Sequence, residues 1–325
     1  MAASGDDVSL LSVGADLPYL TGYEAMPLER LTMLVVPRDG EATLVVPRLE
    51  APRVQAGAFA IRPWEETEDP VAIVAGLVGG AARARIGDTT WSVFLLGLQE
   101  ALPGTVFAPA SELMRGLRVR KDAGEIEALR AAAAAADRAM ARLDGERFSG
   151  RTEREISDRI GRLLVEEGHE SVDFAIVAAG PNGASPHHEP SDRVVEEGDT
   201  VVVDFGGRLE GYRSDTTRTF QVGEAGGGVA EAFAVLEDAQ AAAVAAVRPG
   251  VAAQEIDAVA RQIITGAGFG EFFIHRTGHG IGMETHEHPY LVDGVKVILI
   301  QVTGKAAAFS DFSKAFFSDS TNLAH

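Results

Sequence analysis

The chain has 325 residues, 46% hydrophobic and 24% charged, a balance that suits a globular protein with two domains of ordinary size. Its formal net charge of −19, from 48 acids against 29 bases, argues against nucleic acid or an anionic membrane as a partner. Cysteine is absent, which excludes disulfides and thiolate metal sites, so any metal must be held by histidine and carboxylate, donors that suit manganese, cobalt, zinc or iron.

In chain order, residues 1–7 are acidic and lack the apolar core of a signal peptide. No run of 18 apolar residues follows, so the expectation is a cytoplasmic protein without a membrane span. Residues 8 to about 120 read as a small α/β domain. Leu31 to Val36 and Ala42 to Val46 are apolar runs separated by Pro37, Arg38, Asp39 and Gly40, the composition of a hairpin turn. Helical patterning follows over Val71 to Val78 and Phe94 to Ala101, with Arg85 to Gly87 and Thr105 to Ala108 as further strands. No residue of this half carries evident catalytic chemistry. From Lys121 to about Leu143 a helix is predicted, because a run of six alanines is flanked by Ile126, Leu129 and Met140 on one side. Thr152 with Glu155 three residues on forms a capping box, opening a helix that Gly168 stops. Phe174 to Ala178 reads as a strand, and a loop from Gly180 leads to the pair His187 and His188. Two later helices, about Val229 to Val247 and Ala252 to Thr265, are separated by Arg248, Pro249 and Gly250. Strands alternating with amphipathic helices give an α+β second half.

Two stretches carry chemistry. In the first, Gly198 to Phe220, the β-branched run Thr200 to Phe205 predicts a buried strand, Gly206, Gly207 and Gly211 a turn, and Tyr212 to Phe220 the returning strand. Each strand carries an acid, Asp204 after three valines and Asp215 among hydroxyl residues. Buried carboxylates need positive neighbours, so Arg208, Arg213 or Arg218, or else a metal ion, must neutralise them. The second stretch, Phe272 to His288, holds four of the eight histidines: His275, His279, His286 and His288. The spacing of His275 and His279 would make a metal pair on a helix. Gly278, Gly280 and Gly282 oppose a helix, so an extended segment is expected, with His279 presented between glycines.

The Val-Asp-Phe-Gly-Gly run at 203–207, the Gly-Tyr-Arg-Ser-Asp-Thr-Thr-Arg-Thr run at 211–219, the His-Arg-Thr-Gly-His-Gly-Ile-Gly run at 275–282 and His-Glu-His-Pro at 286–289 together resemble the pita-bread metallopeptidases. Within them the likeness is closest to the Xaa-Pro dipeptidases (prolidases) and Xaa-Pro aminopeptidases. It extends over most of the chain to about Pro289, with the motifs in the family's order. The resemblance implies an α+β pita-bread peptidase domain over 121–325, preceded by a smaller α/β creatinase-like domain over 1–120, to which Leu20-Thr21-Gly22-Tyr23 is also similar. It implies Asp204, Asp215 and His279 as three of five ligands of a centre with two divalent metals, manganese or cobalt first, then zinc or iron. His187, in its Ser-Pro-His context, matches a histidine that sits over bound substrate. His275 and His286 match residues that bind substrate, stabilise the tetrahedral intermediate or shuttle protons. The implied reaction is hydrolysis of the Xaa-Pro bond in dipeptides or short proline-containing peptides by a metal-activated hydroxide. A bond before proline has no N–H, so its pocket must discriminate by shape. A homodimer is the family's habit.

The sequence departs from the family where the centre should be completed. Two downstream glutamates supply the family's remaining ligands, yet no glutamate follows Glu287, and the only later acids are Asp293, Asp311 and Asp319. Three of the four lysines, Lys296, Lys305 and Lys314, lie in this tail, whereas every arginine lies at or before Arg276. The hypothesis is a frame shift or rearrangement near residue 294, and it fails if the alternative DNA frame there encodes no glutamate motif. Two alternatives therefore stand beside the active peptidase. One is an inactive or truncated homologue with an incomplete metal site. The other is a creatinase-like, metal-independent C–N hydrolase, which the retained aspartate pair and His279 disfavour.

Overall fold

A computed structural model describes residues 5–296, so the expected departure of the tail lies almost wholly outside the described residues. The chain divides into two compact units, Met1–Arg118 and Val119–His325. Among the described residues no helix is long and apolar enough to cross a membrane.

In the first unit the strands are β1 (Val8–Leu11), β2 (Met33–Pro37), β3 (Ala42–Pro47), β4 (Phe59–Trp64), β5 (Arg83–Ile86) and β6 (Val106–Pro109). They form one sheet in the order β4-β3-β2-β1-β5-β6. The hairpin expected around Pro37 to Gly40 is present, with Met33 opposite Val45 and Leu34 opposite Leu44. Period-two alternation sends the side chains to two faces. Leu10, Met33, Val35 and Val45 pack with Val74 of α2 (Pro70–Val78) and Leu98 of α3 (Ser92–Ala101). Leu11, Leu34, Leu44 and Val46 pack with Leu17 of α1 (Asp16–Thr21) and Met114 of α4 (Ser111–Arg118). The sequence reading lacked β1, β4, α1 and α4. β4 contains Arg62 and Pro63, which disguise it, and its position at the sheet edge is where a proline is tolerated.

The second unit opens with α5 (Ala123–Asp144) and α6 (Glu153–Glu166), each started by a complete capping box, from Asp122 and Thr152 respectively. Both helices cover one face of the sheet β10-β8-β7, made by β7 (Ser171–Ala179), β8 (Thr200–Leu209) and β10 (Thr216–Gln221). Ala136, Met140, Ile156, Ile160 and Leu163 meet Val177, Val201, Val203 and Phe205 there. Alternation along β8 therefore turns Val202 and Asp204 to the opposite face.

Two details differ from the sequence reading. Gly206 and Gly207 are not a turn: both lie inside β8, and the chain reverses at Glu210 and Gly211 instead. A Cβ at Gly206 would collide with the carbonyl oxygen of Ser214, and one at Gly207 with that of Ser171, so the glycines allow close backbone approach within the sheet. The returning strand is also split, into β9 (Tyr212–Arg213) and β10, leaving Ser214 and Asp215 between the two ladders. After β10 come α7 (Val229–Ala246) and α8 (Ala253–Gly266), whose Ala239, Ile256, Ala260 and Ile264 share a core with Phe273 and Leu291. The chain then forms the short ribbon β11 (Gly278–Gly280) and β12 (Glu287–Leu291), so the histidine segment is extended, as its glycines imply.

Candidate functional site

Asp204 is fully buried on β8, in register with Thr217 of β10, and the Thr217 hydroxyl donates to its Oδ1 at 2.6 Å. Asp215 is buried in the gap between β9 and β10. Its predecessor Ser214 is anchored twice, by its N–H donating to the Gly207 carbonyl at 2.9 Å and by its Oγ lying 2.8 Å from His169 Nε2. Burial pushes the His169 imidazole below its ordinary pKa, which favours the neutral ring.

β11 delivers His279 to this gap. Its Nε2 lies 3.3 Å from Asp215 Oδ2, and its ring centroid is 4.4 Å from that of the exposed His286. Asp215, His279 and His286 each offer one ligand atom within 4.8 Å of the others, a grouping that could hold a metal ion. The structure thus brings together two residues expected as ligands and one, His286, expected to assist catalysis.

The donor chemistry of this group fits a cation. His279 Nδ1 lies 2.9 Å from the Gly280 carbonyl oxygen, which can only accept, so Nδ1 carries a proton and Nε2 is the nitrogen turned to the carboxylate. A ring nitrogen and a carboxylate oxygen so placed require a cation or a proton between them. Asp215 Oδ1 is buried and accepts no hydrogen bond among the described residues, a costly state for an anion without a positive neighbour. The arginines named from sequence have other carboxylates: Arg208 pairs with Glu170 at 3.0 Å, Arg213 with Asp173 at 2.6 Å, and Arg218 comes 4.0 Å from Asp137.

The other two histidines expected in the site, His275 and His187, are not members of this group. The ring of His275 packs against Phe273 at 5.1 Å, and its Nδ1 donates to the Arg276 carbonyl at 2.8 Å. Its Nε2 is buried without a hydrogen-bond partner among the described residues. His187 is exposed on the loop after β7. Its neighbour His188 is the anchored one, with Nε2 2.8 Å from Glu153 Oε2.

Sequence reasoning missed the residues that fix these segments. Glu153, the first residue of α6, is completely buried and accepts from Ala179 N at 2.8 Å, Asn182 Nδ2 at 2.9 Å, Ser191 N at 3.0 Å and Ser191 Oγ at 2.6 Å. Burial alone would raise its carboxyl pKa, but the bonds from Ser191, Ala179, Asn182 and His188 outweigh it and bring the value from 4.5 to about 2. Lys121 Nζ reaches the buried Glu287 at 2.8 Å, beside His286. Asp257 and Arg261, four apart on α8, bind the strand of chain that carries His275. Their i, i+4 spacing on an otherwise apolar helix face was the only sequence signal available.

A buried carboxylate and imidazole beside an antiparallel sheet backed by helices make a candidate metal-binding architecture, and comparison with known proteins makes it specific. Residues 127–305 match the sequence model of Metallopeptidase family M24, and residues 1–120 match the Creatinase/Prolidase N-terminal domain. The chain is 44% identical over 298 residues to a probable dipeptidase PepE of Mycobacterium tuberculosis, covering 90% of this chain and 79% of that one. It is 36% identical over 311 residues to the Xaa-Pro dipeptidase of Lactobacillus helveticus, covering 91% and 83%. Its fold matches the crystal structure of a prolidase from Thermococcus sibiricus with a TM-score of 0.87 at 37% identity, over 92% of this chain and 83% of that one. The chain belongs to metallopeptidase family M24, with the pita-bread fold and a creatinase-type N-terminal domain. Nothing in these comparisons favours an inactive homologue.

Proposed function

We propose that the chain hydrolyses the bond before proline in dipeptides or short peptides, using divalent metal held by Asp204, Asp215 and His279, with manganese or cobalt the best candidates. The observation that carries this reading is the convergence of His279 and His286 on Asp215, whose buried Oδ1 accepts no hydrogen bond among the described residues. A bound divalent metal supplies Lewis acidity and a water that ionises near neutral pH. The chain's own residues do the rest. His275 donates Nδ1–H to the Arg276 carbonyl, which leaves its buried Nε2 as the nitrogen available for substrate binding, the tetrahedral intermediate or proton transfer. His286 is exposed and can exchange protons with substrate or solvent. His187 stands on a loop whose base Glu153 locks, so it can contact the substrate while its backbone stays fixed. We further propose a cytoplasmic location, which cell fractionation would test.

The test is elemental analysis of the purified chain after manganese or cobalt loading, followed by release of proline from an Xaa-Pro dipeptide against the matching Xaa-Ala dipeptide. Bound metal with preferential Xaa-Pro cleavage is expected. A chain that binds no metal, or that cleaves both dipeptides equally, is not an Xaa-Pro metallopeptidase.

A further inference from the structure

Helix α8 carries an ion pair whose hydrogen bonds are directed at the histidine segment. Asp257 is buried and receives Arg261 in a two-pronged pair, Nε to Oδ2 at 3.0 Å and Nη2 to Oδ1 at 2.9 Å. The outer side of the same guanidinium donates to two main-chain carbonyls, Nη1 to Phe273 at 2.8 Å and Nη2 to His275 at 3.0 Å. Its plane also lies over the Phe273 ring, 4.7 Å from the centroid. The Thr277 hydroxyl donates to Asp257 Oδ1 at 2.7 Å, while the Thr277 N–H donates to the Leu291 carbonyl on β12 at 2.9 Å.

These bonds fix the chain immediately before and after one peptide group. The His275 carbonyl is held by Arg261 and the Thr277 side chain by Asp257, so the Arg276 carbonyl between them has a set direction. That carbonyl accepts the Nδ1–H of His275, which determines the ring's tautomer and aims Nε2. The chain enters β11 at Gly278, directly after Thr277, and presents His279 one residue further on. A lysine in place of Arg261 could not span the carboxylate and both carbonyls from a single point charge.

We propose that Asp257 and Arg261 are positioning residues for the reaction: a clamp on α8 that sets the tautomer and aim of His275 and the entry of His279 into the site. The inference rests on the roles assigned above to those two histidines. The test uses the full chain loaded with manganese, comparing wild type with Arg261→Met, Arg261→Lys and Thr277→Val. A misplaced proton-transfer group lowers turnover more than binding, so Arg261→Met should lose about tenfold or more in kcat with KM changed by less than about threefold. Arg261→Lys should recover part of the loss, and Thr277→Val, which removes only the hydroxyl, should lose a few-fold in kcat. Histidine ring nitrogen NMR of the metal-free chain, where no paramagnetic manganese broadens the signals, should show the His275 signals shifted in each variant and those of His187 and His188 unmoved. Unchanged kcat, KM and ring signals, with only the unfolding temperature lowered, would overturn the proposal and leave an ordinary helix-stabilising pair. If Arg261→Met does not fold, the lysine and valine variants decide by the same criteria. If wild type cleaves no Xaa-Pro dipeptide, the proposed function fails, and the ring signals alone then judge the clamp.

Discussion

The carboxyl groups of Glu153 and Asp215 are both buried, yet their surroundings differ in the one respect that matters, the supply of donors. Glu153 has donors enough to hold its carboxyl near 2, against 4.5 for a solvated glutamate. Because the folded value is the lower one, its stabilisation is complete above pH 4.5 and is lost as pH falls toward 2. The shift corresponds to a contribution on the order of 3 kcal/mol at neutral pH. Glu153→Gln should therefore unfold more easily at pH 7, and its acid unfolding, followed by circular dichroism, should show a weaker dependence between pH 4.5 and 2 than wild type. An unaltered acid profile would mean the glutamate is not the hub of that loop. Asp215 has a carboxylate oxygen with no donor among the described residues, so it should respond to a cation. Manganese at a hundredfold excess over its Kd should stabilise the wild-type chain by about 2.7 kcal/mol. Asp215→Asn should abolish that response in a thermal unfolding assay without loss of stability in chelator, since it removes a buried charge. A variant that still gains stability from manganese would place the ion elsewhere.

At the scale of elements, legibility in the sequence followed how local the cause was. The capping box at Thr152 and the break at Pro249 and Gly250 are short-range chemistry, and the helices they bound, α6, α7 and α8, stand where the sequence places them. The extended histidine segment was legible for the same reason, since Gly278, Gly280 and Gly282 oppose a helix on their own. Gly206 and Gly207 were misread because glycine in a turn and glycine in a crowded strand look alike in one dimension. Only the approach of Ser171 on β7 and of Ser214 between β9 and β10 distinguishes them. The roles of Glu153 and Lys121, and the carbonyls that Arg261 binds, were illegible for a related reason: those partners lie 12 to 166 residues away along the chain. The Asp215 gap was half legible, the acid itself being visible but not the split of the returning strand around it. Gly207→Ala is the sharpest test at this scale. The new methyl meets backbone that cannot rotate away, so the cost should reach or exceed the upper end of the usual overpacking range of about 1–3 kcal/mol. Chemical denaturation would measure it, and a cost below about 0.5 kcal/mol would mean that the strands at this point can separate freely.

For the whole molecule the relevant facts are its charge and its division. A net charge of −19 acts against compaction at low ionic strength, and added salt screens it over about 8–10 Å. Among the described residues four hydrophobic clusters fall two to each unit, and the residues of each cluster belong to one unit. In Met1–Arg118 the sheet is covered on both faces by helices of the same unit, so its strands have no buried face that needs outside residues. Within the unit the buried Asp6 meets Arg85 at 2.7 Å, and Arg118 meets Asp16 at 2.7 Å. A unit of this size with closed cores lies within the range that folds alone. Expressed by itself, residues 1–118 should give a cooperative thermal transition and dispersed amide NMR signals. Salt should raise that transition less than it raises unfolding of the full chain, because the isolated unit leaves behind the negative charge carried by the remaining residues. A fragment with collapsed amide dispersion would show that its cores are completed by the rest of the chain, and the two clusters would then have to be read as halves of a larger core.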